Sequence, residues 1–485
     1  MDELEAAIAP LLWSGVAAGA VLAAFAAALL ARGTVPAPRP TARIPPRRSE
    51  RLVIALLTLL GVAVRLPELT HPLGTDEAAT FLYYASRPLI IGLTIYGSPN
   101  NHLLHTALAH AALRLFGDAE WALRLPAFLA GVALIPLTWT VARRLGRRGG
   151  LIAAALAAGW PTLVDYSTDA RGYTLLCAFT LIAAAAMRDV VDRGDRRAAI
   201  LFVVAAALGF YAVPVMLYPF VLIAVWAMLT ARRRGPVVAA LGAALLLAAA
   251  VYAPVIAVSG LAALASNPYA PLPFPRFIAA LPSSIVASWS RLTIAVPVLV
   301  QALLVAGVIA ARRFSLGLAA GLAAVALLLV APRLLPVPRI WLSFLPLLFI
   351  AAAHAWHWPR FEALVAVAAL LALGAASLAT PRMRETGELP NVVPIARTLR
   401  LRVRAGDAVV AMTPSDLPLA FYLRGAPVDV LHPDVAHARR IFVVTNLAAG
   451  RTLPRTLASF GIEPRAFAIR RVDDRGAAAV YVMDR

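Results

Sequence analysis

Long apolar runs are the feature of this 485-residue sequence that most restricts its fold. Because 61% of the residues are hydrophobic and only 14% are charged, one water-soluble core cannot contain them, and a disordered, collagenous or disulfide-rich chain is excluded too. A transmembrane helix crosses about 30 Å of hydrocarbon. Runs of suitable length lie at residues 8–31, 51–68, 124–142, 147–164, 171–188, 196–212, 214–231, 236–258, 293–311, 315–331, 340–356 and 361–379. The sequence therefore predicts an all-α polytopic membrane protein with about 12 transmembrane helices.

The arginines indicate how these helices are oriented. All 45 basic residues are Arg, and the formal net charge is +20. Short Arg-rich loops stay in the cytoplasm, and the predicted spans put five of them on one side, at 32–51, 142–148, 188–197, 231–235 and 311–314. We therefore expect a multi-pass protein of the cytoplasmic (inner) membrane with both termini outside. Nucleic-acid binding is not expected, since it needs the cations gathered on one soluble face.

There is one further apolar segment. If it crossed the bilayer, the five Arg-rich loops would no longer all lie on the same side. Residues 101–116 contain three histidines and an arginine, which are costly in contact with lipid. We therefore predict a re-entrant or interfacial helix there, inside a long outer loop at 69–123. The other outer stretches are 165–170, 259–292, 332–339 and everything after 380.

The chain changes character after residue 380, where polar residues become frequent. Segments 407–412 and 441–445 have the pattern of buried strands, 414–425 that of a capped helix, and 467–485 that of a hairpin. The sequence thus predicts a transmembrane domain at 1–380 and a small extracytoplasmic α/β domain at 381–485.

Ionisable residues near a membrane are functional candidates, because burying them unpaired is costly. On the predicted topology the unusual polar residues gather on the outer face: Asp76, Glu77, Asn100, Asn101, His102, His105, Asp165, Ser167, Asp169, Arg171, Tyr173, Arg333 and Arg339. A carboxylate can remove a hydroxyl proton, and Arg can hold a phosphate with a bidentate fork. This combination predicts a phosphate-handling active site.

Structural roles are the alternative for several of these residues. Asp76 is well placed to cap a helix that begins at Glu77. Arg171 is close in sequence to Asp169 and Asp165, and it can form an ion pair with either of them. Arg124 is expected at the membrane edge, and His102 is a candidate for an interfacial residue whose polar ring atoms reach water.

Metal binding has weak support in the sequence. No HExxH or CxxC spacing is present, and the single Cys177 leaves no intrachain disulfide. Glu77 and His102 are the weak candidates for a divalent metal site. No nucleotide-sugar site is expected, because a Gly-rich phosphate loop is absent from the sequence.

Three features together resemble a known superfamily. They are the early span followed by an outer Asp-Glu pair, the segment NNHLLHTALAHAALRLFGDAEWALRLPAFLAG at 100–131, and YSTDARGYTLL at 166–176. These features resemble the GT-C membrane glycosyltransferases. The likeness is greatest to glycosyltransferase family 39, which includes protein mannosyltransferases, and to the bacterial lipid A aminoarabinose transferases.

The resemblance implies a polyprenyl-phosphate-linked sugar as donor and an envelope lipid, glycan or protein as acceptor. It implies that Asp76 is the general base or orients the acceptor, with Glu77 beside it in acceptor or metal binding. It also implies donor-phosphate contacts at Arg171, and the outer Arg339 is a second candidate for them. The substrate-binding candidates are Asn101, His102, Asp169 and Tyr173.

The function expected from this pattern is an inverting hexosyl- or pentosyltransferase that works on the extracytoplasmic face. A transporter or flippase is the main alternative, but it predicts mid-bilayer polar residues and repeated halves, and the sequence has neither. A polysaccharide polymerase or ligase predicts a large outer loop late in the chain, whereas the long loop here comes early. A non-catalytic anchoring protein predicts that the Asp76, Glu77 and Arg171 cluster is dispensable.

Overall fold

A computed structural model describes most of the chain, at residues 2–33, 46–145, 148–265, 271–310, 316–356, 360–380 and 387–484. The predicted cytoplasmic segment 311–314 and most of segment 32–51 lie outside the described residues. So does the stretch 381–386, which contains the predicted domain boundary.

Helices dominate the first 380 residues. They are α1 Asp2–Gly33, α2 Arg48–Arg65, α3 Thr75–Ala79, α4 Leu89–Thr94, α5 Leu103–Phe116, α6 Glu120–Arg144, α7 Gly150–Gly159, α8 Pro161–Ser167, α9 Tyr173–Arg193, α10 Arg196–Ala212, α11 Leu217–Thr230, α12 Arg234–Ser259, α13 Leu261–Ala265, α14 Phe274–Leu292, α15 Val298–Ala310, α16 Leu316–Val330, α17 Pro338–Trp341, α18 Leu345–Ala355 and α19 Glu362–Ala379. A π-helical turn at Thr80–Ala85 continues α3.

Each of the twelve predicted apolar runs is mainly helical over its described residues. Seven of the described helices are long and apolar enough to cross a membrane, so the protein is a multi-pass membrane protein. The remaining runs form shorter helices, and the count of twelve spans therefore stays a prediction. The same holds for the re-entrant or interfacial placement of α5, a helix of 14 residues.

The predicted run at 147–164 is divided into α7 and α8 by a local break. Trp160 has an extended backbone, with ψ of 118°. The following Pro161 disfavours helical geometry at the residue before it, which explains the break. Trp160 is fully buried and donates from Nε1 to the carbonyl of Leu292 at 2.7 Å.

Burial in the helical bundle follows membrane rather than aqueous rules. All ten residues of α7 are buried, so this helix lies in the centre of the bundle. Large apolar side chains on the peripheral helices are exposed, as at Leu299, Leu316 and Leu364, which are 70%, 83% and 68% accessible. Water would not tolerate so many of them, whereas lipid does.

The C-terminal part contains a four-stranded sheet of order β1-β2-β4-β3, with β1 Ala408–Ala411, β2 Arg440–Asn446, β3 Ala468–Asp474 and β4 Ala478–Asp484. β1 and β2 are parallel, while β4 is antiparallel to both β2 and β3. Three helices accompany it, α20 Val392–Arg402, α21 Asp416–Tyr422 and α22 Leu453–Ser459. The predicted strands, helix and hairpin are confirmed.

The sheet alternates its side chains between two apolar layers, as strand geometry requires. Val409, Phe442 and Val480 pack with α20 and α21 on one side. Val410 and Val443 pack with α22 on the other. α21 lies in the connection between β1 and β2, and it contacts α3 of the helical bundle.

Candidate active site

A cavity of about 460 Å³ opens at the end of the bundle where α2 ends and α6 and α9 begin. We call this the site end. The polar residues that line the cavity include Asp76, Asn100, His102, Arg171, Tyr173 and Arg339. Its apolar lining residues include Leu264, Leu329, Leu334 and Val337. The cavity can therefore accept a molecule that has a charged head and a hydrocarbon tail.

Asp76 lies in the first turn of α3 and forms an ion pair across the cavity wall. Its Oδ2 is 2.8 Å from Nη1 of Arg171, and the two side chains are 19% and 6% exposed. The predicted capping role for Asp76 is wrong, because α3 begins earlier, at Thr75. Glu77 fills that role instead, since its Oε2 accepts the N–H of Gly74 at 3.0 Å.

Glu77 is buried and points to a different partner. Its two carboxylate oxygens accept from Nε and Nη2 of Arg124 at 2.6 and 2.7 Å. Its Oε1 also accepts the N–H of Ala170 at 3.1 Å. Glu77 therefore ties the α3 loop to α6 and to the turn before α9, and the described cavity lining does not include it. Its predicted catalytic role stays a prediction, and the geometry favours a positioning role.

Arg124 is the residue whose role the sequence pattern missed. It is fully buried in the protein, and its expected place at the membrane edge stays a prediction. Besides Glu77, its guanidinium donates to the backbone carbonyls of Glu68, Leu69, His71 and Pro72. Burial of a charge inside an apolar helix requires a nearby anion, and that requirement was the signal available in the sequence.

Arg171 keeps donor capacity beyond its ion pair. Its Nε is buried and has no hydrogen-bond partner among the described residues. Its guanidinium carbon lies 5.1 Å from the centre of the Tyr173 ring. Among the described residues, the carboxylate that forms an ion pair with Arg171 is that of Asp76, rather than that of Asp169 or Asp165 as the sequence suggested. A buried, incompletely satisfied guanidinium in a cavity wall is suited to bind an anion.

His102 presents a neutral imidazole to the cavity. Its Nδ1 accepts the N–H of Gly172 at 2.7 Å, which leaves the proton of the neutral ring on Nε2. Burial lowers the pKa of His102 well below its usual value, and the nearby Arg171 lowers it further. The ring packs edge-on against Tyr173, with centroids 5.0 Å apart. His102 is therefore a hydrogen-bond donor rather than a cation.

Two neighbouring asparagines have opposite roles. The side chain of Asn101 is engaged in the fold, since its Nδ2 donates to Gly92 O at 2.9 Å and its Oδ1 accepts from Thr106 Oγ1 at 2.8 Å. Asn100 lines the cavity instead, and its Nδ2 donates to Asp76 O at 3.0 Å. Its Oδ1 is buried without a partner among the described residues. The substrate contact predicted at Asn101 stays a prediction, and the geometry points to Asn100.

Asp169 is half-buried beside the site, and the described cavity lining does not include it. Burial raises its pKa to about 7, and the Glu77 carboxylate raises it as well, while Arg171 opposes the shift. Its backbone carbonyl accepts the N–H of Arg171 at 2.7 Å. Its predicted substrate contact stays a prediction.

Tyrosines that the sequence pattern did not single out complete the cavity. Tyr96 and Tyr218 line it together with the predicted Tyr173. Burial raises the pKa of Tyr96 to about 12, so its hydroxyl stays protonated and can donate. Nothing in the spacing of the tyrosines along the sequence marked these two.

The weakly predicted metal site does not fit the geometry. The Glu77 carboxylate is held by the Arg124 guanidinium, and Nδ1 of His102 is occupied by an amide N–H. Among the described residues, no group of three or more His, Cys, Asp or Glu side chains is arranged to hold a metal ion.

A sequence profile of the dolichyl-phosphate-mannose-protein mannosyltransferase family matches residues 100–258. This match confirms the resemblance to that family over about a third of the chain. The matched stretch contains His102 and Arg171, but it begins after Asp76, whose role therefore depends on its geometry. No curated protein matches the chain.

Solved structures of glycosyltransferases are similar at low identity. ArnT from Cupriavidus metallidurans, solved in the apo state and bound to undecaprenyl phosphate, is 13% and 14% identical, with 89% of this chain and 97% of ArnT covered and a TM-score of 0.43. The Archaeoglobus fulgidus oligosaccharyltransferase is 12% identical over 81% of this chain and 67% of its own, with a TM-score of 0.44. The arabinosyltransferase EmbB from Mycobacterium smegmatis is 16% identical over 68% of this chain and 32% of its own, with a TM-score of 0.39.

Proposed function

We propose that the protein is a glycosyltransferase that moves a sugar from a polyprenyl-phosphate donor to an envelope lipid, glycan or protein, with inversion at the anomeric carbon. The observation that carries this proposal is a cavity lined both by the Asp76–Arg171 ion pair and by apolar side chains. The family matched at residues 100–258 is named for its donor, dolichyl-phosphate mannose, which is also a sugar linked to a polyprenyl phosphate. The sugar is a hexose or a pentose in this proposal.

The donor has two chemically distinct parts, and the cavity lining contains residues suited to each of them. The phosphate lies near Arg171 and Arg339, with the Nε2–H of His102 as a further donor. The hydrocarbon chain lies along Leu264, Leu329 and neighbouring apolar side chains. Because Nε of Arg171 has no described protein partner, a phosphate oxygen gives it one.

The reaction is a single displacement. The acceptor hydroxyl oxygen forms a bond to the anomeric carbon, and the bond from that carbon to the phosphate oxygen breaks. The proton of the hydroxyl goes to Asp76, and the polyprenyl phosphate leaves with the bonding electron pair. A positioned base contributes about 10²–10⁴-fold to the rate, and Arg171 and Arg339 offset the charge that grows on the phosphate.

The ion pair also couples donor binding to proton transfer. In the structure Arg171 Nη1 holds Oδ2 of Asp76. A phosphate that draws the guanidinium toward itself releases that oxygen to accept the proton of the acceptor. The base is thus freed only when a donor is present, which limits wasteful hydrolysis.

The test is an assay of the purified full-length protein in proteoliposomes with a panel of polyprenyl-phosphate hexoses and pentoses and with extracted envelope acceptors. We expect release of polyprenyl phosphate together with a glycosylated product, both identified by mass spectrometry against protein-free vesicles. Movement of intact donor across the vesicle membrane without cleavage would support the flippase instead. A wild-type protein that cleaves no donor in the panel overturns the proposal.

The proposal also places the site end on the extracytoplasmic face, and cysteine labelling tests that placement. We expect Ala436→Cys in the C-terminal domain to react in intact cells with an impermeant thiol reagent and Asp192→Cys near the opposite end of α9 to stay unlabelled. Both positions are exposed, so access to the reagent decides the result. The native Cys177 is buried and serves as an internal blank. The reverse labelling pattern would contradict the orientation.

A further inference from the structure

The C-terminal domain contacts the segment that carries Asp76. Phe421 of α21 belongs to the same apolar cluster as Leu73, Ala78 and Phe81, which flank Asp76 on both sides. The rings of Phe421 and Phe81 are perpendicular, with centroids 4.8 Å apart. This edge-to-face arrangement has a defined geometry, so it fixes α21 relative to the α3 segment.

Tyr422 adds polar contacts to this interface. Its hydroxyl oxygen accepts the N–H of Leu73 at 3.0 Å, and its O–H donates to Oε1 of Glu120 at 2.9 Å. Leu73 lies three residues before Asp76, and Glu120 begins α6. One side chain of the C-terminal domain therefore joins the α3 loop to a long helix of the bundle.

The start of α3 is held by backbone of the C-terminal region. The first N–H groups of a helix have no partner within the helix. The N–H of Thr75 donates to Gly387 O at 3.2 Å. The hydroxyl of Thr75 lies 2.9 Å from Gly387 O and 2.7 Å from Pro414 O. Thr75 directly precedes Asp76, so these contacts fix the backbone from which Asp76 projects.

Arg424 extends the contact beyond α21. Its guanidinium carbon lies 3.7 Å from the ring centre of Phe421 and 4.9 Å from that of Phe81. Its Nη2 also donates to Asp118 O at 3.4 Å. Stacking of a guanidinium on both rings stabilises the packing of these two aromatic residues.

We propose that the C-terminal domain positions Asp76 for proton transfer, with Tyr422 as its positioning residue. This inference rests on the proposed function. Asp76 must lie within hydrogen-bond reach of the acceptor hydroxyl, and a displacement of about 1 Å is able to cost about 100-fold in rate. The interface through Tyr422 and Thr75 sets that position, so an apparently remote domain controls the reacting carboxylate.

The test compares Tyr422→Phe with Tyr481→Phe, which removes a hydroxyl from β4 of the same domain. We expect Tyr422→Phe to lower kcat about 10-fold or more and to change the KM for donor less than 2-fold, because the phosphate contacts are untouched. Hydrogen exchange of the amides at 73–81 should be faster. The Tyr481→Phe protein should match the wild type in both measurements. Thr75→Val, which removes a hydroxyl on the other side of the interface, should act in the same direction as Tyr422→Phe.

The two measurements separate this inference from the proposed function. Faster exchange at 73–81 with reduced kcat supports the positioning role. Unchanged exchange, or faster exchange with wild-type kcat, overturns it. If the wild-type protein cleaves no polyprenyl-phosphate sugar, the proposed function fails, and the positioning role in that reaction fails with it. Exchange at 73–81 then shows only whether Tyr422 orders the segment.

Discussion

Two adjacent carboxylates at the start of α3 belong to two different centres. Glu77 and Arg124 form a closed centre, in which the side chains are 4% and 0% exposed and the guanidinium also donates to four backbone carbonyls. Asp76 and Arg171 form an open centre, in which the carboxylate is 19% exposed and Nε of the guanidinium has no described partner. In the closed centre the charged groups make their hydrogen bonds to each other and to the backbone. In the open centre a hydrogen-bond donor of Arg171 is left for a ligand.

This difference shows how a charged residue with a structural role can be distinguished from one with a functional role. A buried ion pair is stable only if its remaining donors and acceptors are satisfied. The closed centre meets that condition and fixes the loop. The open centre meets it only in part and lines a cavity, so the missing partners are expected from substrate.

The largest expected effect is on the stability of the closed centre. Glu77→Gln leaves Arg124 buried without a countercharge, so the free energy of unfolding should fall by about 3–5 kcal/mol. Glu50→Gln is the matched control, because it breaks the Glu50–Arg143 pair, in which both side chains are about one third exposed. That change should cost less than about 1 kcal/mol. Thermal unfolding in detergent measures the stability of both variants. Equal losses of stability would contradict the expected difference between the buried and the exposed ion pair.

The open centre should instead lose turnover. Asp76→Asn keeps the shape of the side chain but removes the base, so kcat should fall by at least about 100-fold. The melting temperature should fall less than in Glu77→Gln, because the Asp76 carboxylate is partly exposed. Asp118→Asn, on an exposed aspartate of the same loop, should keep full activity. Release of polyprenyl phosphate measures both variants. Wild-type turnover by Asp76→Asn would remove the base from the mechanism.

A smaller effect is expected on donor affinity. Arg171→Lys keeps the charge but loses the fork that binds two phosphate oxygens, so the affinity for a polyprenyl-phosphate sugar should fall about 10-fold, or about 1.4 kcal/mol. Acceptor affinity should stay unchanged. Arg114→Lys, at an exposed arginine of α5, is the control. Unchanged donor affinity in Arg171→Lys and Arg171→Ala alike would leave Arg171 as a structural partner of Asp76.

The smallest effect is a pH dependence at the border of the two centres. Because the pKa of Asp169 is raised to about 7 in the folded protein, the folded state binds this proton more tightly than the unfolded state does. Asp169 therefore lowers stability as the pH rises from about 4 to about 7. Asp169→Asn should raise the melting temperature by a few degrees at pH 8 and change it little at pH 4. A shift of equal size at both pH values would contradict the raised pKa, and Asp118→Asn should give no shift at either.

Sequence by itself determined the features that depend on local chemistry. Hydrophobicity, residue period and charge placement predict three of these features. They are the helical apolar runs, the strands and hairpin of the C-terminal domain, and the set of polar residues at the site end. A membrane strengthens these signals, because every spanning segment must form its backbone hydrogen bonds within itself. His102, Arg171, Tyr173 and Arg339 were found in this way, and all of them line the cavity.

Only the tertiary structure decided which charge meets which partner. Glu77 and Arg124 are 47 residues apart, and Leu73 and Tyr422 are 349 residues apart, so no local pattern joins them. Asn100 and Asn101 are neighbours of the same type, yet one lines the cavity and the other satisfies backbone carbonyls. Ion pairs and hydrogen bonds act over a few ångströms, and only the packing of α3, α6, α9 and α21 brings these groups within that distance.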